Sequence, residues 1–158
     1  MNRILTIDPS GTGTTGLFFL SEEGSEFHQF TGKDWKEHLQ FLFDYIAEKE
    51  PEIAIYEHTN YLNLKGKDMT ALFKLFGGIE GLKLNFACLN SIESIPVNQV
   101  KDWYHKLYAK EKWLDNLAYK VGRGGGWLYT HPDGRIERIS NHQLDAYLIY
   151  QIWKKNHD

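Results

Sequence analysis

Cysteine is nearly absent from this chain: its 158 residues include one, Cys88. An intrachain disulfide is therefore excluded, as is a zinc site built on cysteine thiolates. Cys88 lies in the apolar stretch Asn85-Phe86-Ala87-Cys88-Leu89, the setting of a small core residue rather than of a nucleophile. Long hydrophobic runs are missing too, and none approaches the length of a membrane span. The opening Met-Asn-Arg-Ile-Leu-Thr-Ile-Asp has no signal-peptide pattern, so a reducing, cytoplasmic setting is expected. No internal repeat or low-complexity linker divides the chain, and its length suits one domain spanning 1–158. An overall basic excess is lacking as well. The net charge is −3, which alone argues against a nucleic-acid partner.

What is present softens that argument. Residues 1–60 hold 4 Lys/Arg against 11 Asp/Glu, whereas residues 61–139 hold 12 against 8. An acidic scaffold can thus present a basic face drawn from the middle of the chain. The composition is 42% hydrophobic and 15% aromatic, enough for a packed interior and inconsistent with a disordered chain.

The hydrophobic pattern predicts three meandering strands over Arg3–Asp8, Thr15–Leu20 and Ser25–Phe30, with turns at Pro9–Gly13 and Ser21–Gly24. The period then changes. Trp35, Leu39, Leu42, Phe43 and Ile46 share one face of a helix that must stop before Pro51. Ile53–Glu57 reads as a short strand of the buried kind, followed by a polar loop and a helix from about Asp68 to Cys88, in which Gly77, Gly78 and Gly81 permit close packing. Ser91–Ile95 is a fifth strand, stopped by Pro96. Two helices are predicted next, over Val97–Leu107 and Lys112–Val121, then a β-hairpin near 127–139 and a last helix capped by Ser140 or Asn141. This order predicts an α/β layer fold with a mixed five-stranded sheet flanked by helices.

Gly11-Thr12-Gly13-Thr14-Thr15-Gly16 matches the dinucleotide-binding glycine pattern by letter, but its context fails. That motif needs a helix directly after it, and Leu17-Phe18-Phe19-Leu20 continues as a strand. The P-loop that cradles nucleoside triphosphates fails too, because Gly16 is followed by Leu17-Phe18 and not by Lys and Ser/Thr. No nucleotide cofactor is expected. Asp8 and Glu57 each close an apolar strand, where a buried charge needs a partner or a cation. On the last helix His142, Asp145, Ile149 and Ile152 share a face, so a third carboxylate joins the inner surface of an apolar element. Each residue alone admits a structural role as readily as a functional one. Together they suit Mg²⁺ or Mn²⁺, hard ions that take carboxylate oxygen, and a pair of such ions can drive phosphodiester hydrolysis. His142 can ligate a metal or exchange a proton near neutral pH; bonded to a nearby carbonyl, it would be structural.

These residues carry a resemblance. Ile4-Leu5-Thr6-Ile7-Asp8-Pro9-Ser10-Gly11 resembles the opening of RuvC-type Holliday junction resolvases, and Ile53-Ala54-Ile55-Tyr56-Glu57 is similar to their second catalytic strand. Asn141-His142-Gln143-Leu144-Asp145-Ala146-Tyr147 is similar to the family's last helix, and Pro96-Val97-Asn98-Gln99-Val100-Lys101 to its Pro-x-x-Val-Lys segment. The resemblance implies an RNase H-like fold, a homodimer, two Mg²⁺ or Mn²⁺ ions per site, and paired nicks across branched, four-way DNA. It places Asp8, Glu57, His142 and Asp145 at the metal and Lys101 and Lys112 on phosphates. In the family an aromatic side chain after the second catalytic strand approaches the junction centre. Tyr61 would stack on a base there, with Lys65 and Lys67 on phosphates. The loop Glu57–Asp68 is longer than the family's, and the glycine-rich break with its hairpin over 122–139 has no counterpart in the bacterial pattern. Arg123, Arg135 and Arg138 make that insertion basic, which opens forks and flaps as substrates. A bacterial or bacteriophage source suits the short chain.

Three other readings stand beside this one: a broader RNase H-like nuclease on forks, flaps or hybrids; a non-catalytic nucleic-acid-binding domain; and an actin-like phosphotransferase. The last needs two lobes, and 158 residues supply one.

Overall fold

The computed structural model describes residues 2–59, 67–109, 114–123 and 125–158, with the backbone alone for Lys67. Its first sheet contains β1 (Ile4–Asp8), β2 (Thr14–Ser21), β3 (Gly24–Thr31), β4 (Ile53–His58) and β5 (Ser91–Pro96), in the order β3-β2-β1-β4-β5. The first three strands form an antiparallel meander, while β4 and β5 run parallel to β1. Helix α1 (Trp35–Lys49) links the two halves; α2 (Lys67–Gly81) and α3 (Val97–Tyr108) flank β5 in sequence, and α4 (Asn141–His157) ends the chain.

Every residue of β1 is buried, which explains its unbroken apolar run. Alternation still decides what each side chain meets. Leu5 and Ile7 join Leu42, Ile46, Leu75 and Ile79 in a core beneath α1 and α2. Ile4 joins Phe18, Ile55, Leu144, Leu148 and Ile149 in a second core beneath α4. Thr6 shares the α4 side, where its hydroxyl donates to the Ala146 carbonyl. Asp8, two residues on, therefore faces α4 as well.

Helix ends follow their sequence signals. The Asp34 carboxylate accepts from the Lys36 N–H to start α1, and Glu50 closes the helix in the left-handed region at φ 50°, just before Pro51. Ser140 and Gln143 form a reciprocal capping box at the start of α4.

The expected bounds or kind of two elements need correction, and on α1 the expected face residue Phe43 is 38% exposed. Helix α2 stops at Gly81 and gives way to a short 3-10 turn over Leu82–Leu84, well before Cys88. The chain must reverse there to bury Leu89 and to begin β5 beside β4, with the Asn90 N–H donating to the Glu52 carbonyl. The second helix expected after Pro96 is also absent from the described residues, because β6 (Leu117–Lys120) is a strand. It pairs with β7 (Gly126–Thr130), which pairs with β8 (Ile136–Ile139), so the expected hairpin is part of a three-stranded antiparallel sheet. Leu117 is buried and the Tyr119 ring packs 5.1 Å from Trp127, while Ala118 and Lys120 between and after them are exposed. The pairing with β7, not a pattern of burial, makes this segment a strand.

The small sheet packs against the α4 side of the large one through Trp127, Tyr129 and Ile139. Buried His131 fastens it. Its Nδ1 lies 2.8 Å from Ser25 Oγ on β3, and its Nε2 lies 2.8 Å from Glu137 Oε2 on β8.

Candidate active site

The C-terminal ends of adjacent parallel strands in an open α/β sheet leave a crevice where side chains can converge. Here Ile7 on β1 is opposite Tyr56 on β4, so the next step along both strands reaches Asp8 and Glu57. Alternation turns both toward α4, since Ile55, two residues before Glu57, lies in the α4 core. From α4, His142 and Asp145 descend on the same stripe.

Gly16 makes this approach possible. It is the register partner of Asp8 on β2, and a Cβ there would stand 2.2 Å from the His142 carbonyl oxygen. No side chain fits, so the first turn of α4 rests directly on the strand. His142 Nδ1 consequently comes within 3.2 Å of Asp8 Oδ2. Gly11 does the same for α2, where a Cβ would stand 2.8 Å from backbone atoms of Ala71 and Leu72. Two glycines of the false nucleotide motif thus seat helices.

The electrostatics of the cluster are strained. Burial first, and then the charges of Asp8 and Asp145, push the Glu57 carboxyl up to about 8. Burial and the Asp8 charge push Asp145 up to about 7, against a lowering pull from His142. Burial also raises Asp8, more than His142 lowers it, while the Asp8 carboxylate holds His142 above its usual value. Asp8 and His142 thus both keep a proton longer than they would in water, as expected for one proton held between them. Asp8 thus raises both Glu57 and Asp145, and Asp145 raises Glu57, which marks a site short of positive charge.

The donor set fits a hard dication: carboxylate oxygens and one imidazole. Among the described residues, however, no three His, Cys, Asp or Glu side chains already converge closely enough to enclose an ion. Direct contact within the cluster joins His142 to Asp8; the carboxylates act on one another through charge. Mutual repulsion favours carboxylates that stand apart until a cation joins them.

A cleft of about 310 Å³ opens beside these groups, lined by Glu57, Asp145, Asn141, Lys101, Tyr104 and His105 with Val97 and Val100 beneath. Lys101, the one phosphate-contact candidate with a described side chain, lies here on α3, and its charge pulls Glu57 downward. Tyr61, Lys65 and Lys112 lie outside the described residues, as does the side chain of Lys67, the first residue of α2. A larger concavity of about 1050 Å³ sits at the opposite end of the sheet near Arg3, Glu26 and Glu52. It is remote from Asp8, Glu57 and Asp145 and rich in glutamate, so the smaller cleft beside those carboxylates is the candidate site.

Sequence reasoning did not assign Tyr104, His105, Asn141 or Gly16 to the site. A signal for the first two was present: Val97, Val100, Lys101, Tyr104 and His105 recur at helical spacing and form one face of α3. Nothing in the local sequence foretold which element Gly16 would touch.

No family model matches the sequence, and no curated protein matches it either. Similarity emerges in three dimensions. The structure of Thermus thermophilus RuvC is 15% identical with a TM-score of 0.57, covering 98% of this chain and 96% of that one. The T. thermophilus RuvC in complex with Holliday junction substrate is 16% identical with a TM-score of 0.55, covering 94% and 90%. At such identity the likeness is one of architecture. The chain has an RNase H-like α/β fold, with a three-stranded sheet added to the five-stranded one.

Proposed function

We propose that this protein is a divalent-metal-dependent endonuclease of branched DNA, one nuclease domain that acts as a homodimer and opens four-way junctions by paired nicks. The observation that carries the reading is the charge deficit between β1, β4 and α4. Burial, with the charge of Asp8 on both and of Asp145 on Glu57, holds Glu57 near pKa 8 and Asp145 near 7. An RNase H-like fold supports the same reading, as does the junction substrate bound by the similar T. thermophilus protein.

In this account Asp8, Glu57 and Asp145 hold Mg²⁺ or Mn²⁺, with His142 as a fourth donor, enough for two ions. Such ions, when bound, supply an activated water and neutralise the charge that develops on phosphate. Asp8 and Glu57 project from neighbouring strands and so fix oxygen donors on a rigid base. Asp145 closes the set from α4. His142 turns Nδ1 to Asp8, which leaves Nε2 to ligate a metal or to exchange a proton with the strand being cut. Lys101 meets a phosphate oxygen across the cleft and lessens the repulsion felt by Glu57. Tyr61, Lys65, Lys67 and Lys112 are further proposed contacts with DNA. Among the described residues no helix is long and apolar enough to cross a membrane.

A second reading, a nuclease of wider specificity on forks and flaps, is favoured by the added sheet β6-β7-β8. Cleavage with Mg²⁺ or Mn²⁺ of four-way junction, fork, flap, linear duplex and hybrid substrates separates the two. Symmetric paired nicks confined to the junction are expected; scattered single nicks on flaps would select the wider nuclease.

A further inference from the structure

Four aromatic rings lead out of the cleft along the face where α3 meets the small sheet. Tyr104 lines the cleft beside Glu57 and Asp145. Tyr108, one turn along α3, lies 4.7 Å from it ring to ring, and the two hydroxyls are 2.9 Å apart. Trp127 of β7 sits 5.5 Å from Tyr108 and 5.1 Å from Tyr119 of β6, and Tyr119 closes the group 6.0 Å from Tyr108. Trp127 is only 5% exposed and serves as the buried floor, whereas Tyr108 and Tyr119 are 50% and 52% exposed. The two rings thus leave half of their surface open on one edge. Exposed Lys120 and Arg123 follow Tyr119, and Leu117–Arg123 contains no acidic residue.

We infer that Tyr108 and Tyr119 form a stacking platform for unpaired bases of a DNA strand, with Lys120 and Arg123 on its phosphates. Rings that accept any base face, flanked by cations and continuous with the cleft, suit a single strand. Bases stacked inside a duplex present only their edges and cannot reach such rings. The platform rests on the nuclease reading given above, and would deliver the unpaired arm of a branch to the carboxylates.

The test uses the full chain with Ca²⁺ and measures binding to two DNAs of equal length, a blunt duplex and a fork with one unpaired arm. Tyr119→Ala should weaken fork binding on the order of 10-fold, the loss of one stacked base. Duplex binding should stay nearly unchanged, and Tyr119→Phe should bind the fork as the unaltered protein does. In parallel, 5-iodouracil in the unpaired arm should photo-crosslink to Tyr108 or Tyr119 of the unaltered protein, a readout independent of how any variant folds. Equal binding of the fork by Tyr119→Ala, equal losses on fork and duplex, or crosslinks that avoid both tyrosines would each overturn the platform and leave the nuclease reading standing. Failure of the unaltered protein to bind either DNA would overturn both.

Discussion

Replacing Glu57 with glutamine removes one negative charge from the mouth formed by β1, β4 and α4, and should stabilise the metal-free protein in a pH-dependent way. Glu57 moves from an ordinary 4.5 to about 8 in the folded chain, through burial first and then Asp8 and Asp145. A group with a raised folded pKa binds its proton more tightly when folded. The stability tied to that proton is therefore complete below about pH 4.5 and is lost as pH climbs through about 8. At about 1.4 kcal/mol per unit the full loss would approach ~5 kcal/mol, but part of the repulsion is shared with Asp8 and Asp145, so about 2 to 3 kcal/mol is a sounder expectation. For a chain of this size that corresponds to a rise in Tm of about 5 to 10 °C for Glu57→Gln at pH 8.5, shrinking toward zero at pH 5. Thermal unfolding in EDTA across that range reads it directly. Millimolar Mg²⁺ should close most of the gap, since an ion that binds only the folded state at 100 times its Kd adds about 2.7 kcal/mol, and the variant lacks a ligand to receive it. A Tm difference that is the same at pH 5 and pH 8.5 would refute the reasoning, because loss of packing or of a hydrogen bond would not titrate.

Other perturbations test the supports of the site. Gly16→Ala drives a methyl into the His142 carbonyl and should cost about 1 to 3 kcal/mol by chemical denaturation. It should also lift α4 from Asp8, so that cleavage falls more than 10-fold, an order-of-magnitude expectation for a misplaced catalytic group. His142→Ala should change the relative rates with Mg²⁺ and Mn²⁺; unaltered rates with both would assign His142 to structure. Because Asp8 raises His142, any stability this pair contributes is present below about pH 6.5 and fades as pH rises through the raised value, and its half exposure limits it to about 1 kcal/mol. His131→Ala removes the hydrogen bonds to the Ser25 hydroxyl and to Glu137, and should cost about 1 to 3 kcal/mol. Hydrogen exchange should show that loss concentrated in β7 and β8; a loss spread evenly over β1 and β4 would argue against His131 as a local fastener.

Much of the fold was legible because the strands and the first and last helices carry strong local signals. The apolar β1 and β4, the Asp34 and Ser140 caps and the stop at Pro51 each act within a few residues. Where the reading failed, two periods fitted one sequence. Leu114, Leu117 and Val121 are spaced for a helix, yet Leu117 and Tyr119 also alternate as a strand, and the deciding fact is the pairing with β7, a tertiary contact. On α1 the apolar face is rotated from expectation: Phe43 is 38% exposed while Tyr45 is buried and donates to Glu26. The acidic residues at the strand ends could be named in advance because a charge at the end of a buried strand is costly. Their convergence with Asp145 depends on α4 resting on Gly16, and a glycine's partner cannot be read from its neighbours in the chain. The α3 stripe that lines the cleft was visible as a period but carried no mark that separated a site from a core.

The central claim is that Asp8, Glu57 and Asp145 work as one metal-holding set. Its most direct test is cleavage of a four-way junction by Asp8→Asn and Asp145→Asn in Mg²⁺ or Mn²⁺, with binding of the same junction followed alongside. The account predicts that each single substitution abolishes cleavage while junction binding is largely retained. Cleavage that persists in either variant would contradict it.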